Sequence, residues 1–240
     1  MENYPEIERS LAKSLGLRTR PVAVKFLESP PAGVPPFRGT EPSGCSFWRL
    51  AAGGKTFYTL PSDHYNCPIG SHTHNISLPP ERAAELEQTL SFIVGIGYLK
   101  MEEVPGIPRL AQTPGAIVYA PLADMPGNPV LDPDVVLVAC TPHRAMLIEE
   151  AAMRAGSAAK FPILGRPTCA AIPAAIAQGV VASAGCIGNR VYTGLKDDEL
   201  YVAIPGRDLS PVTEEIAAIS AANAQLAEYH AARKAALATE

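Results

Sequence analysis

The chain reads as an α/β or α+β protein, a mixed sheet covered by helices, on three observations. Short apolar runs, above all Val135-Val136-Leu137-Val138-Ala139, have the composition of buried strands. Segments with apolar residues at helical spacing alternate with them. The 24 prolines, about twice the usual share, are scattered along the chain, which describes loop-rich globular structure rather than disorder.

Residues 4–15 form the first predicted helix, with Ile7, Leu11 and Leu15 on one stripe and Gly16 as its stop. Residues 21–27 read as a strand. Residues 29–42 hold five prolines and two glycines and must be a loop. A helical turn is expected at 46–52 behind Cys45, then a strand at 56–60. Residues 80–99 give the clearest helix of the first half: Pro79-Pro80-Glu81 starts it, Leu86, Leu90, Ile93 and Val94 line one face, and Gly95 and Gly97 loosen its end. Strands follow at 116–120 and 135–139, the second central because it is apolar throughout. The helix expected at 142–156 turns Ala145, Met146, Ile148, Ala152 and Met153 inward and ends at Gly156. A short helix at 174–179, a strand at 200–204 and a long Ala-rich helix at 211–238 complete the chain. That last helix carries Ile216, Ile219, Leu226 and Leu237 as sparse apolar points and is the expected contact of a homodimer.

With 240 residues, 47% hydrophobic and 18% charged, the chain is long enough for one well-filled domain. A net charge of −4 without a long basic run leaves no electrostatic footprint for nucleic acid. No run of 18 apolar residues suggests a membrane span, and the first residues lack the basic start and apolar stretch of a signal peptide, so a cytoplasmic protein is expected. In that reducing compartment the five cysteines are poor disulfide candidates.

Two cysteine-bearing segments look like copies of one another. Cys45 leads through Ala51-Ala52 to Gly53, then on to Asn66-Cys67-Pro68-Ile69-Gly70; Cys169 leads through an Ala-rich stretch to Gly179, then on to Gly185-Cys186-Ile187-Gly188. The cysteine separations are 22 and 17 residues. Two repeats are therefore expected, at about 17–110 and 111–206, with residues 21–26 matching 134–139 in one single domain. If the halves fold alike about a local twofold, Cys45, Cys67, Cys169 and Cys186 meet. Soft thiolates select iron–sulfur clusters, zinc or copper(I) over hard cations. The spacings fit neither a zinc ribbon nor a ferredoxin run, so the fold itself would have to assemble the site. The expectation is a [4Fe–4S] cluster with a redox, sensing or small-molecule role, its partner a small ligand or a redox protein. Asn66, Asn189 and Arg190 are the candidates for contacting the bound group. Cys140, at the end of an apolar strand, reads as core.

Further motifs carry a resemblance. Gly44-Cys45-Ser46-Phe47-Trp48, His64-Tyr65-Asn66-Cys67-Pro68-Ile69-Gly70, and the run from Gly185-Cys186 to Thr193-Gly194 are joined by Asp198-Glu199-Leu200-Tyr201 and Ile204-Pro205-Gly206. Together they resemble a prokaryotic family of uncharacterised proteins, domain of unknown function 169. The likeness spans nearly the whole chain from Pro21. It implies no activity, but it singles out the segments around Cys45, Cys67, Cys169 and Cys186 and leaves Cys140 outside.

Two other readings stand beside the cluster. His64, His72 and His74 flank Cys67, so a Cys/His zinc enzyme is one alternative, with exposed loop imidazoles as its bland counterpart. The other is a metal-free module binding a small ligand between the halves, the cysteines being core. Lys25 within its strand reads either as an anion contact or as a solvent-facing edge lysine, and Arg49 as a partner of Trp48 or of a carboxylate. No glycine fingerprint for nucleotides is present.

Overall fold

The first helix illustrates how closely local sequence dictates local structure. Asn3 caps helix α1 (Tyr4–Leu15) by accepting the Glu6 N–H, Pro5 sits in its first turn, and Gly16 closes it in the left-handed conformation at φ 57°. Its stripe of Tyr4, Ile7, Leu11 and Leu15 is buried. The structure is a computed structural model and describes residues 2–126 and 129–238.

Strand β1 (Val22–Leu27) follows, then helix α2 (Gly44–Ala52), strand β2 (Phe57–Thr59), helix α3 (Pro68–Thr73) and helix α4 (Pro80–Gly95). Strands β3 (Ala116–Pro121) and β4 (Val135–Cys140) lead to helix α5 (Pro142–Arg154). The last third holds strand β5 (Ile163–Leu164), helix α6 (Ala171–Gln178), strand β6 (Val181–Ser183), helix α7 (Ile187–Thr193), strand β7 (Leu200–Pro205) and helix α8 (Leu209–Leu237).

The strands form one 7-stranded sheet in the order β2-β3-β1-β4-β7-β6-β5. All pairings are antiparallel except β5 with β6, which makes the sheet mixed. β1 and β4 lie side by side at its centre, Val22 opposite Leu137 and Val24 opposite Val135. Outward from that pair the order is β3, β2 on one side and β7, β6 on the other. β3, which a repeat boundary at 110 assigns to the second half, therefore belongs spatially with β1 and β2.

Period-two alternation divides the core in two. Ala23, Val118, Val136, Val138, Cys140 and Val202 face a layer built by α1, α5 and the start of α8. Val24, Ile117, Tyr119, Leu137, Tyr201 and Ala203 face the opposite layer, with Phe47 and Trp48 of α2 and the residues of α6. Cys45 and Cys169 belong to this second layer and Cys140 to the first.

Some expectations change in detail. Helix α4 ends at Gly95, and its stripe is only half-covered, with no fully buried residue. Met146 and Met153 of α5 are exposed; the buried face is Ala145, Leu147, Ile148, Ala151 and Ala152, and a residue adjacent to a stripe rotates about 100° away from it. Lys25 is on a central strand, not an edge, and its ammonium lies 2.9 Å from Asp134, whose other oxygen accepts the Phe26 N–H. Helix α8 buries Leu209, Val212, Thr213, Ile216 and Ile219, then leaves the body: residues 221–237 are exposed, Leu226 and Leu237 included. Among the described residues no helix is long and apolar enough to cross a membrane.

Candidate functional site

Each of the four predicted cysteines sits at the start of a helix or helical turn. Cys45 is the second residue of α2, whose cap Ser43 accepts the Cys45 N–H through its hydroxyl at 3.3 Å. Cys67 and Cys186 hold the cap positions of α3 and α7. Cys169 lies in the 3-10 turn Thr168–Ala170 that runs into α6. Hydroxyls tie these segments in pairs: Ser43 Oγ approaches Cys67 Sγ at 3.8 Å, and Thr168 Oγ1 accepts the Cys186 N–H.

The thiols lie within electrostatic reach of one another. Burial pushes the Cys45 thiol up to about 12; the Asn189 amide and Ser43 oppose this, while charge on Cys67 or Cys186 would raise it further. Burial likewise holds Cys169 well above the usual thiol value, reinforced by Cys45, Cys67 and Cys186 and opposed by the Thr73 hydroxyl. Cys45 and Cys169 are buried, and Cys67 and Cys186 are half-buried, so the group has a closed side and an open one. Four thiolates without a compensating cation would repel one another at this place.

Two glycines make the space. A side chain on Gly70 would meet Cys67 Sγ at 2.8 Å. Gly185, at φ +81°, would meet Leu195 at 2.8 Å and the Asn189 amide oxygen at 3.2 Å. Asn189 itself is buried, and neither amide atom has a conventional hydrogen-bond partner among the described residues.

A second set of buried polar groups borders the thiols. Tyr119 is fully buried with its hydroxyl unpartnered, and burial, then Cys45, Cys169 and Cys67, push its ionisation well up. His64 and His74 are buried with ring centroids 5.8 Å apart. Gly70 O accepts from His74 Nδ1 at 2.8 Å, which leaves Nε2 as a buried lone pair without a partner. His64 Nε2 lies 2.9 Å from Thr59 Oγ1, whose hydroxyl donates to Ile117 O. His64 Nε2–H therefore donates and Nδ1 carries the lone pair, unpartnered and facing Gly44 beside Cys45. Burial pushes the His64 value down to about 3, helped by His74, and lowers that of His74 as well. Buried polar atoms normally find partners, so this concentration of orphans beside the thiols makes the place the candidate site.

The remaining candidates go elsewhere. Asn66 spends its amide on Glu41 O and Arg82. Arg190 braces the segments on either side of it through Ala184 O, Lys196 O and Glu199 O. Arg49 reaches Glu41 at 3.7 Å, exposed. His72 is half-buried, its carbonyl accepting from Arg109, and it lines a separate cavity with Pro68 and Ile76. His64 and His74 are buried, not exposed loop imidazoles. Among the described residues no three His, Cys, Asp or Glu side chains converge as tightly as one ion requires.

Ser43, Thr73, Thr168, Tyr119 and the free ring nitrogens of His64 and His74 are the features that sequence reasoning missed. Ser43 ahead of Gly44-Cys45 had a readable signal as a helix cap. Tyr119 had only its position in an otherwise aliphatic strand.

The model of the family described as uncharacterised ArCR, domain of unknown function 169, matches residues 10–215. Comparison with curated proteins and with solved structures finds no match. The chain belongs to the domain of unknown function 169 family.

Proposed function

We propose that this member of the family is an iron–sulfur protein that holds a [4Fe–4S] cluster through Cys45, Cys67, Cys169 and Cys186. The observation that supports the reading is that thiols from four separate segments lie within electrostatic reach of one another, beside unpartnered buried polar groups. Soft sulfur ligands suit iron in such a cluster, and the cluster would supply one-electron chemistry. The Asn189 amide beside Cys45 and the unpartnered Tyr119 hydroxyl would be the donors available to cluster sulfur, and such donors tune a cluster's potential. The half-buried pair Cys67 and Cys186 marks the side from which an electron or a small molecule reaches the site.

The test is a set of single Cys→Ser variants purified without oxygen. Replacing Cys45, Cys67, Cys169 or Cys186 is expected to remove at least half of the iron and the visible absorption. Cys140→Ser is expected to keep both, since Cys140 faces the other layer of the core. Iron that survives Cys45→Ser and Cys169→Ser, or that is lost only with Cys140, contradicts the assignment.

A further inference from the structure

A cavity of about 390 Å³ opens beside the thiol site, between residues 99–108 and residues 164–170. It is within the size range of small-ligand sites, roughly 300–1,000 Å³. Leu99, Ile107 and Leu164 make apolar walls, and Pro167 and Ala170, which flank Cys169, close one end. The cavity thus shares a wall with the turn that carries a proposed cluster ligand.

Arg166 is the cation among the residues lining the cavity, and its guanidinium lies 4.0 Å from the centre of the Tyr98 ring. It makes no hydrogen bond or ion pair among the described residues, and unlike Arg38 and Arg233, which also make none, it lines a cavity. Stacking on an aromatic face holds the fork in place while leaving its N–H groups free. Tyr98 is anchored in turn, its hydroxyl accepting the N–H of Ile187, the residue after Cys186, at 3.4 Å. The Arg166–Tyr98 pair is therefore fixed to the segments of two proposed ligands. Glu103 also lines the cavity, with its carboxylate accepting the Lys100 N–H at 2.8 Å. A carboxylate there costs a dianion such as phosphate more than a monoanion.

We infer that this cavity binds a monocarboxylate with an apolar body, its carboxylate on Arg166 and its chain along Leu99, Ile107 and Leu164. A planar guanidinium meets a carboxylate in two parallel hydrogen bonds, and the apolar walls take the rest of the molecule. The inference names a ligand class for the site proposed above and rests on that reading for the ligand's purpose, not for its binding.

Octanoate is the probe, titrated into the full chain by calorimetry, with octanamide as its neutral counterpart and Arg166→Ala as the variant. The result expected is saturable octanoate binding that weakens about tenfold or more both for octanamide and in Arg166→Ala. The octanamide comparison uses the unaltered protein, so it stands even if the variant fails to fold. No saturable binding, or equal binding of octanoate and octanamide, overturns the inference. Iron is measured in the same samples: octanoate binding without iron removes the cluster and keeps the pocket, and iron without binding does the reverse.

Discussion

A buried imidazole that stays neutral links the site to acid stability. The folded value of His64 is about 3, against about 6.5 in the unfolded chain, and that of His74 is lowered too. Between those values the unfolded state takes up a proton that the folded state refuses. The stability is therefore present above pH 6.5 and is lost as pH falls, by up to about 1.4 kcal/mol per pH unit for each histidine. Urea midpoints of the metal-free protein from pH 7.5 to 5 should decline below 6.5, and His64→Leu should flatten the decline. A flat profile in the unaltered protein would mean that His64 is protonated in the fold. The segments of Cys45, Cys67, Cys169 and Cys186 were picked out at this scale by their similar Cys/Gly pattern, and their thiols lie within electrostatic reach of one another. His74 and Tyr119 were not, because sequence does not say which polar groups are buried without partners. Asn66 and Arg190 were named for standing next to cysteines in sequence, and their side chains turn to backbone carbonyls.

Helices and strands came through where burial leaves a clear pattern. The stripe of α1 meets one layer and β4 is buried on both faces and so apolar throughout, so periodicity and composition suffice. Helix α5 was harder, because Ala residues on its buried face carry little hydrophobic signal and the methionines beside them carry more. Helix α8 shows the limit most clearly. Its first turns pack on α1 and α5, while residues 221–237 continue in solvent on the strength of alanine's helix propensity. A chain ending at residue 221 should therefore stay folded, with a thermal midpoint within about 3 °C of the full chain. Scanning calorimetry with light scattering checks this. A fall of 10 °C or more would contradict the assignment of 221–237 as a solvent-facing extension, and a drop from dimeric to monomeric mass would identify the surface that the expected homodimer uses.

At the scale of the molecule, the sheet explains how residues 45, 67, 169 and 186 come together despite unequal spacing. Antiparallel β1 and β4 form its centre, and the β3-β2 and β7-β6 pairs flank them in the same order. That order is the one two similar halves about a local twofold would produce. Cysteine-bearing segments that follow β1 and β4 then fall on the same face, and loop length ceases to matter. Cys140 is excluded by the two-residue period of β4, which turns it to the other face. Strand content was readable, but strand order was not, since β3 crosses from residue 116 back to pair with β1 and β2. The measurement closest to the central claim is the iron and acid-labile sulfide content of protein purified without oxygen. The account predicts about four of each per chain, with a broad visible absorption that fades on exposure to air. Protein that is colourless, free of iron and sulfide, and unable to take them up on anaerobic reconstitution would contradict it.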